Sequence, residues 1–425
     1  LLLCRWGVYM TKLIIDGPNK LSGTIEISGA KNSVVALIPA AILCDDYVTI
    51  DNVPDITDTK ALLEILKVLK ATYSYKSNFL KIDVSKVENQ VIEEALAKKL
   101  RASYYFMGAL LSKYHHVEMF FPGGCKIGKR PIDYHLKGFE TLGAKVTIDG
   151  DKYIIDAEEL NGADITFDFP SVGATINIML AAIKANGQTR IFNAAKEPEI
   201  VNVADFLKSM GAKIKGAGTD TIIITGVKKL SKGNIYTIPD RIEAGTYIIA
   251  GALAGEDLVI DKIEPKHLTS LLETLKNMNI NYVLEENSII ISKQTNLLPV
   301  NITSSVYPGF VTDLGQTMQT LLTQANGIST FTETIYETRM GHIEYLNKMG
   351  ANIANTSNKA FITGPTPLSG AYVKASDLRA GAALVLAGLI ADGKTTIDEA
   401  DHILRGYENI NIKLSKVGAK IRIEE

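Results

Sequence analysis

Hydrophobic and polar positions along this chain follow a pattern that returns every 68 to 73 residues. Self-similarity of this kind is read before any single element. Its clearest landmark is an amphipathic helical stretch ending in a Gly-Ala turn: Phe139-Glu-Thr-Leu-Gly143-Ala, Phe206-Leu-Lys-Ser-Met-Gly211-Ala, Tyr345-Leu-Asn-Lys-Met-Gly350-Ala and Leu414-Ser-Lys-Val-Gly418-Ala. Weaker copies are Leu66-Lys-Val-Leu-Lys70-Ala and Leu275-Lys-Asn-Met-Asn279-Ile. Glycine or asparagine just past a helix tolerates the left-handed backbone of a C-terminal cap, whereas Lys70 fits poorly there. Alternating runs such as Lys145-Val-Thr-Ile-Asp149 and Lys420-Ile-Arg-Ile-Glu424 follow and predict strands.

A second feature repeats in phase. The stretches 33–44, 102–113, 172–185, 244–254, 314–325 and 379–391 are apolar nearly all round and rich in small residues. They predict buried, closely packed helices. Strands are expected after them at 47–51, 116–121, 189–193, 257–261, 329–334 and 394–398. The unit is therefore helix–strand–loop–helix–strand–strand, used six times, and the fold class is α/β. Such a period usually means a solenoid, but a wholly buried helix in every unit argues for closed packing. Six buried helices around one centre would make an oversized core, so two domains of three units each are expected. The boundary falls near Ile238-Pro239-Asp240, giving one domain over 31–238 and another over 10–30 plus 239–425. A first strand, 12–27, precedes the first unit and can pair back near the C-terminus.

Composition narrows the function. Apolar residues make up 46% and charged residues 22%, with a net charge of −2, so no global field favours nucleic acid or a membrane surface. No apolar run approaches the length needed to cross a bilayer. Cys4, Cys44 and Cys125 form neither a disulfide framework nor a zinc spacing, which fits a reducing cytoplasm. Residues 1–9 read as an extension upstream of a start at Met10, which N-terminal sequencing of the native protein can test.

Candidate chemistry follows from the repeat. Parallel buried helices would gather their N-termini at one end of each domain, where dipoles and free N–H groups favour anions. The residues at those starts are Lys31-Asn32, Arg101, Ser171, Glu243, Asp313 and Asp377/Arg379; loops after the following strands carry Cys125 with Arg130, Glu197, Glu199, Glu337, Arg339 and Arg405. In Phe121-Pro-Gly-Gly-Cys125-Lys-Ile-Gly-Lys-Arg130-Pro-Ile-Asp133, glycines let the backbone approach a ligand and cations lower a thiol's pKa. The plainer reading is a surface loop with an incidental thiol. For Asp313 it is an N-cap on the helix beginning at Leu314. His115, His116 and His135 lack the carboxylate pattern of a metal site, and structural or surface roles suit them better.

The motifs Ser28-Gly-Ala-Lys31-Asn32, Pro122-Gly-Gly-Cys125, Phe169-Pro-Ser-Val-Gly-Ala-Thr175, Glu197-Pro-Glu-Ile, Pro239-Asp-Arg-Ile-Glu243, Tyr307-Pro-Gly-Phe-Val-Thr-Asp313, Glu337-Thr-Arg339, Ser376-Asp377-Leu-Arg379 and Arg405-Gly-Tyr occur in one order from Met10 to Glu425. In that order and spacing the chain resembles the UDP-N-acetylglucosamine enolpyruvyl transferases of the EPSP synthase superfamily. The resemblance implies a two-domain inside-out α/β barrel with pseudo-threefold symmetry in each domain. It implies transfer of the enolpyruvyl group of phosphoenolpyruvate to the sugar 3-hydroxyl, with phosphate released through a tetrahedral intermediate, as the opening step of peptidoglycan synthesis. It requires neither cofactor nor metal.

By the same resemblance Asp313 is the general base. Cys125 is either the acid toward C3 of phosphoenolpyruvate or the site of a thioether adduct, and it is the group alkylated by fosfomycin. Lys31, Arg130 and Arg405 hold the phosphate and carboxylate, while Asn32, Arg101, Arg339, Asp377 and Arg379 are further cleft residues. Pro131, Ile132, Asp133, Tyr134, Ser171, Val172, Gly173 and Ile335 fall among the UDP-sugar contacts. Tyr105 and Phe169 stand where some members carry tryptophan and lysine. The rivals are a shikimate-pathway enolpyruvyl transferase, against which the Pro-Gly-Gly-Cys loop argues, and a UDP-sugar-binding paralogue without turnover. Oligomeric state stays open.

Overall fold

The structure, a computed structural model, describes residues 11–123 and 132–424. Among the described residues six sheets organise it, five of four strands and one of three. In the four-stranded sheets the strand leaving a buried helix is an inner strand, whereas in the three-stranded sheet it lies at the edge. Tyr47–Asp51 is antiparallel to Phe79–Asp83 and parallel to Gly233–Tyr236. Gln188–Phe192 stands in the same way between Thr221–Thr225 and Asp164–Thr166, and Gly327–Thr332 between Lys359–Gly364 and Asn301–Thr303. Gly255–Asp261 pairs antiparallel with Ser288–Ile291 and parallel with Leu21–Glu26. His116–Phe120 is antiparallel to Lys152–Asp156, with a parallel bridge from Ile92 to Met119.

The sixth sheet is completed from far away in sequence. Gly393–Asp398 pairs parallel with Tyr372–Lys374 and antiparallel with Lys12–Gly17, which in turn pairs with Ile421–Glu424. The expected single strand over 12–27 is thus two strands serving two sheets. Leu13 and Ile15 point into a core; Leu13 pairs with Ile397 and Ile423 and Ile15 with Thr395 and Ile421, so the alternation that predicted a strand also fixes its register.

The buried helices are Lys31–Ala41, Tyr105–Tyr114, Val172–Ala182, Arg241–Ala254, Gly315–Leu322 and Leu378–Ile390. Their limits differ from those expected by up to three residues, and before Tyr105 and Gly315 short 3₁₀ turns take the first expected positions. Asp240 caps the fourth helix, which begins at Arg241, three residues before its predicted start. Two separate hydrophobic clusters form around them. One draws on residues from Val34 to Leu230; the other combines Leu13 to Ile27 with Ile242 to Ile421. Close approach needs small residues: a Cβ on Gly108 would sit 2.3 Å from the Asn177 carbonyl oxygen of the neighbouring helix. The Gly108 N–H instead donates to Asn177 Oδ1 at 2.8 Å.

The outer amphipathic helices are Thr57–Val68, Asp133–Thr141, Pro198–Ser209, Thr269–Asn277, His342–Lys348 and Ile410–Lys416. All six landmark residues after them have a left-handed backbone, with φ from 62° at Asn279 to 107° at Gly211 and Gly418. Lys70 adopts it too, at φ 63°, against its preference. The six-fold turn geometry overrides the residue's own propensity there. Among the described residues no helix is long and apolar enough to cross a membrane.

Candidate active site

A cavity of about 560 Å³ is lined by residues from both hydrophobic halves. Helix starts build its walls, as the polar caps of otherwise apolar helices. Ser171 Oγ accepts the Ala174 N–H at 3.3 Å, and Asp377 Oδ1 accepts those of Arg379 and Ala380 at 2.8 and 3.0 Å. Asp240 joins two helix starts: Oδ1 accepts the Ile242 and Glu243 N–H groups, while Oδ2 accepts the Lys31 N–H at 2.9 Å. Capping consumes the orphan N–H groups of the helix ends and fixes where the neighbouring side chains emerge.

Cations and carboxylates interlock within this cavity. Asp58, in the first turn of Thr57–Val68, has Oδ2 3.2 Å from Lys31 Nζ and Oδ1 2.9 Å from Arg405 Nε. One buried carboxylate thereby aligns two cations separated by 374 residues in sequence (405 minus 31). Asp313 is not an N-cap. It lies in the 3₁₀ turn Thr312–Leu314, and its oxygens receive Arg339 Nη1 at 2.7 Å and Arg379 Nη2 at 3.2 Å. Burial by itself would raise the Asp313 carboxyl; Arg379, Arg339 and then Lys31 outweigh it and hold the group well below the usual carboxylate range. The Asp313 side chain keeps 27% exposure, toward a cavity it lines.

A second pair spans the halves. Arg241 donates Nε and Nη2 to the two oxygens of Glu199 at 3.0 and 3.3 Å, both residues being buried. Beside it Glu197 Oε2 is buried with no hydrogen-bond partner. Burial raises the Glu197 carboxyl to about 7, against the pull of Arg241 and with a contribution from Glu199. A carboxyl raised on folding keeps its proton in the native state while the unfolded chain loses its own. Stability is therefore lost as pH rises from the ordinary carboxyl range toward 7. Glu197→Gln is expected to melt near the native protein at pH 5 and a few degrees above it at pH 8; equal melting temperatures at both values would contradict this assignment.

Lys31, Asn32, Arg101, Asp133, Tyr134, Ser171, Val172, Gly173, Asp313, Ile335, Arg339, Asp377, Arg379 and Arg405 all line the cavity, as do Tyr105 and Phe169. Ile132 is buried in the first hydrophobic cluster instead. Cys125, Arg130 and Pro131 lie outside the described residues. Glu243 does not reach the walls: its carboxylate takes Lys413 Nζ and the Ser28 N–H, each at 2.7 Å. His135 is buried and held neutral by burial and then by Arg101, with its pKa lowered to about 3; its Nδ1 lies 2.9 Å from Asn177 Nδ2. Among the described residues no three His, Cys, Asp or Glu side chains form a metal-holding group.

Sequence reasoning gave no role to Asp58, Arg241 or Thr312. Arg241 sits inside a recognised motif, but its partner Glu199 is 42 residues away, and Asp58 has no local signal at all.

The chain matches the EPSP synthase (3-phosphoshikimate 1-carboxyvinyltransferase) family over residues 15–414. It is 51% identical over 412 residues to UDP-N-acetylglucosamine 1-carboxyvinyltransferase 2 of Geobacillus kaustophilus, covering 97% of this chain and 96% of that one. It is 50% identical over 418 residues to UDP-N-acetylglucosamine 1-carboxyvinyltransferase of Streptococcus pneumoniae serotype 2, covering 98% and 100%. Its fold superimposes on the crystal structure of the enolpyruvyl transferase NikO from Streptomyces tendae with a TM-score of 0.90 at 26% identity, over 97% of this chain and 99% of the other. EPSP synthase from Acinetobacter baumannii shares the fold with a TM-score of 0.75 at 17% identity, over 98% of this chain and all of that one. The family match over residues 15–414 and the identity of about half over nearly the full length place the chain in the EPSP synthase family of carboxyvinyltransferases, alongside the UDP-N-acetylglucosamine 1-carboxyvinyltransferases.

Proposed function

We propose that this protein transfers the enolpyruvyl group of phosphoenolpyruvate to the 3-hydroxyl of UDP-N-acetylglucosamine, releasing phosphate by addition and elimination through a tetrahedral intermediate. This is the first committed step of peptidoglycan synthesis. The observation that carries the reading is one cavity whose walls hold Lys31, Arg101, Arg339, Arg379 and Arg405 together with the carboxylate of Asp313. Both substrates are polyanions, and such a cavity suits them.

Asp313 takes the proton of the sugar hydroxyl. Clamped by two arginines, it is a weak base. Incoming phosphate and carboxylate groups compete for those guanidiniums, and each charge diverted lets the Asp313 carboxyl regain basicity. Lys31 and Arg405, with Arg130, hold the phosphate and carboxylate of phosphoenolpyruvate and stabilise charge as it develops. Asn32, Arg101, Asp377, Ile335 and the Asp133–Tyr134 and Ser171–Gly173 segments receive the nucleotide sugar.

The same reading takes the architecture as an inside-out α/β barrel in two bodies, 31–238 and 10–30 plus 239–425, each of three pseudo-symmetric units. Two separate hydrophobic clusters and the repeated left-handed turns support it.

Phosphate release from phosphoenolpyruvate tests the function: UDP-N-acetylglucosamine is expected to support it, and 3-phosphoshikimate is not. Release with 3-phosphoshikimate alone would overturn the acceptor assignment. Cys125 carries the thiol chemistry, so prolonged fosfomycin exposure is expected to abolish turnover, and Cys125→Asp to make the enzyme insensitive. Full activity of the native chain after that exposure would remove Cys125 from the mechanism.

A further inference from the structure

We propose that Glu333 is a positioning residue for Asp313, acting through Thr312 and Arg339 rather than on substrate. It follows the strand Gly327–Thr332, is 2% exposed, and does not line the cavity. Both of its oxygens are engaged. Oε1 accepts Ser304 Oγ at 2.7 Å, the Ile335 N–H at 2.8 Å and the Tyr336 N–H at 3.1 Å. Oε2 accepts the Thr312 hydroxyl at 2.8 Å.

Because that hydroxyl proton is committed to Glu333, the Thr312 oxygen turns its lone pairs outward. Arg339 Nη1 donates to it at 3.1 Å and to Asp313 Oδ1 at 2.7 Å. Glu333 thus fixes a hydroxyl, the hydroxyl fixes a guanidinium nitrogen, and that nitrogen fixes one oxygen of the carboxylate. The same group pins the backbone of Ile335 and Tyr336, both on the cavity wall. One buried side chain thereby ties the Thr312 segment to the Ile335–Tyr336 segment.

Only a carboxylate meets this demand. Four donors converge on Glu333, and glutamine would put an NH₂ where one acceptor stands, leaving Thr312 or the backbone pair unsatisfied. The other charges facing Asp313 are Arg379 from Leu378–Ile390, Lys31 from Lys31–Ala41 and Arg241 from Arg241–Ala254. Arg379 holds the second oxygen independently, so the relay governs one oxygen and its loss misaims the base without releasing it.

The inference rests on the reading of Asp313 as the base, and the test separates the two. Steady-state phosphate release is measured for Thr312→Val, Thr312→Ser, Glu333→Gln and Asp313→Ala, each checked by thermal melting. Thr312→Val, isosteric but lacking the hydroxyl, is expected to lose about tenfold in kcat with KM for UDP-N-acetylglucosamine within about twofold of native. Thr312→Ser recovers kcat to within about threefold, since it keeps the oxygen. Glu333→Gln loses kcat and also raises KM, because the Ile335 segment is released as well. Native kcat in Thr312→Val, or equal damage in Thr312→Ser and Thr312→Val, overturns the relay; a Glu333→Gln enzyme with native kcat does so too. An Asp313→Ala enzyme with native kcat overturns the base itself, and the relay with it.

Discussion

Asp313→Ala is expected to lower kcat about a thousandfold, the middle of the range for loss of a positioned general base. KM for phosphoenolpyruvate should stay level or fall. The reason is the ion-pair geometry: Arg339 and Arg379 lose the carboxylate that occupies them at 2.7 and 3.2 Å, and two freed guanidiniums favour a second anion. A purely structural aspartate would instead raise KM and depress melting without a selective effect on kcat. Asp313→Asn sharpens the test, since its amide keeps the shape but cannot take a proton. It should match alanine to within about tenfold. A kcat within tenfold of native in both variants would remove Asp313 from the chemistry.

Replacing Arg379 has the second-largest expected effect. Its guanidinium is buried and donates to Asp313 Oδ2 at 3.2 Å and to the Tyr407 hydroxyl at 3.1 Å. Arg379→Ala leaves a carboxylate and a buried phenol short of a donor. Breaking one side of a buried pair costs about 3–5 kcal/mol, and the partial exposure of Asp313 puts this case at the lower end. The melting temperature should drop by several degrees, with kcat falling about a hundredfold.

The pH dependence gives a sharper signature. Against the effect of burial, Arg379 is the largest of the influences that depress the Asp313 carboxyl, ahead of Arg339. In the native protein the depressed carboxyl contributes stability above the ordinary carboxyl range, and that contribution is lost as pH falls through and below it. Without Arg379 the carboxyl rises, so the acid limb of kcat/KM is expected to move to higher pH. Arg379→Lys should behave more like alanine than like arginine, because an ammonium cannot serve Asp313 and Tyr407 in the same fork. An unmoved acid limb in both variants would show that Arg379 does not tune the carboxylate.

How much of this was legible before folding depends on the range of the interaction. Apolar periodicity located all six buried helices and the strands after them, because a helix hidden on every side is mostly apolar, although Gly315–Leu322 also buries Gln316, Thr317, Gln319 and Thr320. The Gly-Ala landmarks marked left-handed turns, and even Lys70 complies, at φ 63°, though its own preference argued otherwise. The stretch 12–27 read as one strand, because alternation does not reveal that its two halves pair with different sheets. Asp313 read as either cap or base. Its local sequence carries a helix start, whereas its two arginine partners lie 26 and 66 residues away.

The sequence by itself determined the period, the buried helices, the polar residues at their starts and, through motif order, the family. Those features depend on local hydrophobic spacing and on residue identity, both of which are written in the chain. Only the tertiary structure decided which cation faces which carboxylate. It put Asp58 between Lys31 and Arg405, closed Glu199 onto Arg241, and hid Glu333 behind Thr312 and Arg339. Charge pairing falls off over a few ångströms in space and has no period in sequence, so it becomes visible only once the helix starts have been brought together.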